Sequence, residues 1–64
     1  METIKACREI VASCSYQKVD GVMVDLFSAS TIVQVFDALN SANQAKMASL
    51  PVEKMAALAF KLVA

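Results

Sequence analysis

Catalysis needs a nucleophile with a base to activate it, or a pair of carboxyl groups, or a set of metal ligands. This 64-residue chain offers few candidates for any of these. Ser28, Ser30 and Thr31 stand close to Asp25 and could suggest a hydroxyl nucleophile, but histidine is absent and no lysine lies nearby to serve as base. Helix capping is the better use for these hydroxyl groups. Cys7 and Cys14 are spaced by two helical turns, about 10.5 Å, which is too far for an intrahelical disulfide. Both read as thiols on an apolar stripe with no activating base, and two cysteines without histidine do not complete a zinc tetrad. Asp20 and Asp25 lie on either side of a turn, while Asp37 and Glu53 stand alone on helix surfaces, so no acid–base pair is expected. A single glycine leaves no phosphate-cradling loop. The expectation is a protein without catalytic residues, cofactor, metal or small-molecule substrate.

The composition points elsewhere. Hydrophobic residues make up 58% of the chain, charged residues 19%, and six basic side chains balance six acidic ones. Globular chains average about 45–50% apolar and about 25% charged, so this one is rich in apolar side chains and poor in charge. Disorder is excluded by that balance. A domain this short buries only about 60% of the surface of its unfolded chain and commonly needs a staple, such as a disulfide, a metal or a second subunit. With the first two disfavoured by the cysteine and histidine count, oligomerisation is the expected staple. The start of the chain carries charges of both signs and no signal-peptide pattern. The longest uncharged run before Asp37 is too short to span a bilayer, so a cytoplasmic protein is expected.

The pattern of apolar residues predicts an all-α domain over residues 1–64, a compact bundle of three main helices and one short connecting helix, completed by oligomerisation. From Glu2 to about Cys14, the residues Ile4, Cys7, Ile10, Val11 and Cys14 fall within an arc of roughly 120°. The segment from Ser15 to Gly21 breaks that helix, with Asp20-Gly21 as a turn. Val22-Met23-Val24 is β-branched but short. It finds no strand partner in the chain and is read as an extended linker, the alternative being a strand paired across a dimer axis. A central helix starts at Ser28 as N-cap, with a staple between Phe27 and Ile32, while Asp25 is the rival cap one turn earlier. Its apolar residues from Ala29 to Leu39 cover about 220°, an arc that must be covered from more than one direction. Asn40 suits a left-handed helix end, and Ser41 with Gln44 reads as a capping box opening a short helix through Ser49. Pro51 fits the first position of a last helix, with Glu53 in its first turn.

The apolar excess of the central and last helices places a self-association surface there, with Val33, Phe36, Met55, Ala59 and Phe60 as its candidates. A homodimer is the favoured state, and another protein is the candidate external partner. Two alternatives remain open. A DNA-binding regulator is conceivable around Asn40-Ser41, but Lys5, Arg8, Lys18, Lys46, Lys54 and Lys61 are dispersed among acids. A membrane-active factor would use the last helix, whose Lys54 and Lys61 give weak attraction for anionic lipid.

From Val24 onward, the pieces Val24-Asp25-Leu26-Phe27-Ser28-Ala29-Ser30, Asp37-Ala38-Leu39-Asn40, Ala42-Asn43, Ala45-Lys46, Leu50-Pro51 and Met55-Ala56 resemble short uncharacterised proteins encoded by bacteriophages of actinobacteria. The resemblance covers roughly residues 24–62. Relatives of this kind often carry a basic residue where Gln44 stands, a difference that weakens a nucleic-acid reading here. The matched residues are helix caps and packing positions, so the resemblance implies a phage origin and the host bacterial cytoplasm, with no activity attached to a residue. With that origin, the expected external partner is a phage or host protein, and the membrane-active alternative is a host-takeover or lysis factor.

Overall fold

The computed structural model describes residues 2–19 and 21–63. Among them run α1 (Glu2–Ser13), β1 (Gln17–Val19), β2 (Val22–Val24), α2 (Leu26–Ala38), α3 (Ser41–Ala48) and α4 (Val52–Val63). The protein is mostly helical, as its periodicity predicts, with a small two-stranded antiparallel sheet beside the helices.

α1 buries Ile4, Cys7 and Ile10 on one narrow line, with Glu2 in its first turn where the helix dipole favours a negative charge. The helix ends one residue before Cys14, so that cysteine leaves the apolar stripe on which the sequence pattern puts it and is exposed. Cys14 takes a left-handed conformation, φ 52°. Its N–H donates to the carbonyl of Val11 at 3.3 Å and the Ser15 N–H donates to that of Ile10 at 3.2 Å. This pair of bonds is the Schellman closure, which satisfies two of the orphan carbonyls at the helix end and usually places glycine where Cys14 stands.

Val22-Met23-Val24 is not a linker. It pairs within the chain against Gln17-Lys18-Val19, with Val19 opposite Val22 and Gln17 opposite Val24. The two-residue loop this register demands is filled by positions 20 and 21, where Gly21 supplies φ 79°. Asp20, the other half of the expected turn, lies outside the described residues. Val19 and Val24 are buried and join the core, so the hairpin adds its apolar side chains to those of the helices, with β1 beside α1.

α2 begins at Leu26, not after Ser28. Asp25 is its N-cap, accepting from the Ser28 N–H at 2.8 Å. The earlier start wins because it puts the buried Val24 just before the cap and the buried Ala29 four residues after it, where a staple belongs. Phe27 is left outside. α2 ends through two extended residues, Leu39 and Asn40, and Asn40, not Ser41, caps α3 by accepting from the Asn43 N–H at 2.9 Å. Asn40 is therefore extended where a left-handed residue was expected. The Gln44 amide, freed from a capping box, donates at 2.9 Å to the Phe36 carbonyl near the end of α2. Pro51 lies one residue ahead of α4, its carbonyl taking the first bond of that helix from the Met55 N–H.

α2 lies between α1 on one side and α4 on the other. Its wide apolar arc is used up by these two neighbours: Ala29, Ile32, Val35 and Phe36 are all buried. α4 contributes Val52, Met55 and Ala59 to the same core, whereas α3 buries only Met47. Thr31, the one buried polar side chain among the described residues, donates its hydroxyl to the Phe27 carbonyl at 2.9 Å. That internal bond removes most of the cost of taking the hydroxyl out of water.

Candidate functional site

Several of the groups that could have carried chemistry are engaged in structural contacts. The Asp25 carboxylate caps α2, and the Ser28 backbone N–H holds it below the ordinary aspartate range. Asp37 accepts two bonds from the Arg8 guanidinium, one of them 3.1 Å, which tie α1 to α2 across the surface and hold the Asp37 carboxyl low. Burial pushes the Cys7 thiol up, away from the reactive thiolate. The hydroxyl groups of Ser13, Thr31 and Ser49 donate to main-chain carbonyls within their own helices or helix ends. Among the described residues no group of three or more His, Cys, Asp or Glu side chains comes together to hold a metal ion.

The feature left over is apolar and concave. Leu39 at the end of α2, Met47 on α3, Leu50 in the following turn, and Leu58 and Leu62 on α4 line a hollow of about 380 Å³ with Asn43 and Lys46 also on its wall. A second hollow of about 280 Å³ adjoins it, formed by Gln34, Val35 and Ala38 of α2 and by Leu62 and Val63 of α4. Leu39 and Leu62 line both hollows, so the two make one stepped groove across the α2–α3–α4 side of the protein. Leu62 remains 55% exposed and Val63 51%. A separate apolar spot lies at Phe27, 70% exposed, whose ring sits 5.6 Å from that of Phe60 at a tilt of 30°. Such an offset pair is favourable in its own right, yet it leaves most of one ring in water.

The charges around the groove are of one sign. At 100° per residue, Lys54 precedes Leu58 by one turn and lies about 40° from it around α4, with Lys61 about 60° away on the same side. Lys46 stands on the facing wall. Glu53 lies about 140° from Leu58, on the far side of α4. Asp37 is engaged by Arg8 at the α1–α2 contact. Among the described residues no carboxylate lines either hollow.

The residues expected at an interface fall differently. Phe36, Met55 and Ala59 are buried inside the chain, and Val33 and Phe60 are half-buried, Phe60 under the Phe27 ring. The two helices named are those that line the groove, but the chain covers their most apolar faces itself. The exposed large apolar side chains of these two helices are Leu26 and Phe27 at the start of α2 and Leu62 and Val63 at the end of α4, with Tyr16 and Met23 exposed elsewhere. The order of residues around α4 carries the signal for this. Met55 and Ala59 form the middle of the apolar arc, whereas Leu58 and Leu62 lie at its lysine-bearing edge, where a neighbouring helix cannot cover them fully.

No helix among the described residues is long and apolar enough to cross a membrane. No family model, curated protein or solved structure matches the chain.

Proposed function

We propose that this chain is a non-enzymatic protein-interaction module, a small accessory protein of the kind encoded by bacteriophages of actinobacteria, which self-associates and acts by binding protein. The observation that supports this reading is the persistence of exposed apolar side chains after the core is closed. Thirteen apolar residues are buried in that core, yet Phe27, Leu62 and Val63 stay more than half exposed. Isolated surface apolar residues are ordinary, but a concave apolar groove is the kind of surface that marks an interaction site. A module that both pairs with itself and holds another protein needs two such surfaces. The stepped groove is the candidate for one, and the exposed Phe27 ring beside Phe60 is the candidate for the other.

Sedimentation of the full chain at low micromolar concentration tests the self-associating half of the proposal. A dimer is expected, and a well-folded 6.9 kDa monomer would overturn it. A gel-shift assay at low salt against phage and host DNA tests the protein-binding half. Tight, salt-sensitive binding of DNA would replace it by a nucleic-acid function.

A further inference from the structure

We propose that the α2–α3–α4 groove binds an amphipathic helix of another protein, one carrying leucine-sized side chains on its inner face and carboxylates along its flanks. The inference rests on the protein-interaction reading and names the chemistry of the partner. Three observations support it.

The groove is stepped. Two hollows of about 380 and 280 Å³ share the wall made by Leu39 and Leu62, so an occupant must place separate apolar side chains on either side of that wall. A helix does this with anchors at i, i+3 or i+4, and i+7. A flat lipid surface has nothing to seat in two neighbouring hollows. The lining is apolar at its centre and polar at Asn43, Lys46 and Gln34, which fits a helix with an apolar stripe between polar flanks.

The charge is asymmetric. From Ala38 onward the chain carries Lys46, Lys54 and Lys61 against Glu53 alone. Lys46 lines the larger hollow; Lys54 and Lys61 line neither, but lie about 40° and about 60° around α4 from the lining Leu58, whereas Glu53 lies about 140° from it. The remaining acidic residues belong to the first 37 positions. Carboxylates on the flanks of an incoming helix would meet these lysines, while a basic helix would be repelled.

The same charges disfavour a second copy in this groove. A two-fold contact would set Lys46, Lys54 and Lys61 against their own counterparts, bringing like charges together around an apolar centre. Self-association is therefore left to the Phe27–Phe60 side, and the groove to a different partner.

The test uses the full chain and two fluorescent designed helices of about 18 residues, each with leucines at i, i+4, i+7 and i+11, one flanked by glutamates and the other by lysines. At about 50 mM salt the glutamate helix is expected to bind roughly tenfold more tightly than the lysine helix, with the preference shrinking at high salt. The triple variant Lys46→Glu, Lys54→Glu, Lys61→Glu, all at exposed positions, should reverse that preference. Leu62→Asp should abolish binding of the glutamate helix while its circular dichroism remains that of the wild type. If Leu62→Asp disturbs the fold, the charge-reversal variant still decides the question. Equal binding of the two helices, preference for the lysine helix, or binding of neither overturns the proposal. So does a Leu62-dependent dimer, which would make a second copy the occupant, or Leu62-dependent flotation with phosphatidylglycerol vesicles, which would make it lipid. A dimer that binds neither helix sinks this inference and leaves self-association standing. A monomer that binds the glutamate helix does the reverse.

Discussion

Replacing Cys14 by glycine should stabilise the protein, and the size of the effect follows from the end of α1. Cys14 holds φ 52° in order to close the Schellman motif through the bonds from its own N–H to Val11 and from Ser15 to Ile10. A side chain with a Cβ in this region costs about 1–2 kcal/mol relative to glycine. Glycine gives back about 0.5–1 kcal/mol of that through the greater freedom of its unfolded chain. The only polar contact of the thiol, to the Val11 carbonyl at 3.8 Å, is long and weak. Cys14→Gly should therefore gain about 0.5–1 kcal/mol, and since 1 kcal/mol moves the Tm of a domain this size by about 4–8 °C, the midpoint should rise by about 2–8 °C. Cys14→Ala is the internal control, because it removes the sulfur but keeps the Cβ, and it should stay within about 0.5 kcal/mol of the wild type. Thermal melts followed by circular dichroism, in reducing buffer and at one protein concentration, compare the three proteins. Holding concentration fixed matters because self-association would itself move the midpoint. If Cys14→Gly melts no higher than Cys14→Ala, the left-handed strain assigned to this helix end is not there.

The converse change is Gly21→Ala. Nothing lies within 4 Å of the added Cβ, so only the φ of 79° resists it; with the same entropy offset, a loss of about 0.5–1 kcal/mol in urea unfolding is expected, and a neutral result would mean that the turn relaxes. Met55 is fully buried where α4 packs on α2, and Met55→Ala should cost about 2–5 kcal/mol, read as a lower urea midpoint with an unchanged m-value. Asp25 and Asp37 both titrate below the ordinary aspartate value of 3.8 in the folded state. The stability they contribute is thus fully present above that value and lost as pH falls through their lowered folded-state values. Asp25→Asn with Asp37→Asn should flatten the acid limb of the stability curve, and an acid limb as steep as the wild type's would show that these two carboxylates are not its cause.

The helices were legible because helical periodicity is local: Ile4, Cys7 and Ile10 announce one buried line without knowledge of anything beyond α1. The hairpin was not, although Asp20-Gly21 is a strong two-residue hairpin signal. Its first strand, Gln17-Lys18-Val19, has one apolar residue, and its status as a strand depends wholly on the ladder it forms with Val22–Val24. Both caps moved toward the N-terminus, from Ser28 to Asp25 and from Ser41 to Asn40. Aspartate, asparagine and serine cap with nearly equal strength, so the choice passed to packing, which the burial of Val24 decides at the first site. The groove escaped for a related reason. Hydrophobic arcs tell which side of α2 and α4 must be covered, and the third helix that does part of the covering leaves Leu58 and Leu62 at the margin.

α3 reaches the rest of the protein chiefly through the buried Met47, the half-buried Ala48 and a hydrogen bond from the Gln44 side chain to the Phe36 carbonyl. Eight residues held by so little form a unit that can detach while α1, α2 and α4 keep their common core. Its amide hydrogens should exchange through such excursions at a free energy well below that of global unfolding. A wall of the groove is thus also a segment with a low threshold for opening. Any ligand seated between α3 and α4 would be read out first as slowed exchange along Ser41–Ala48.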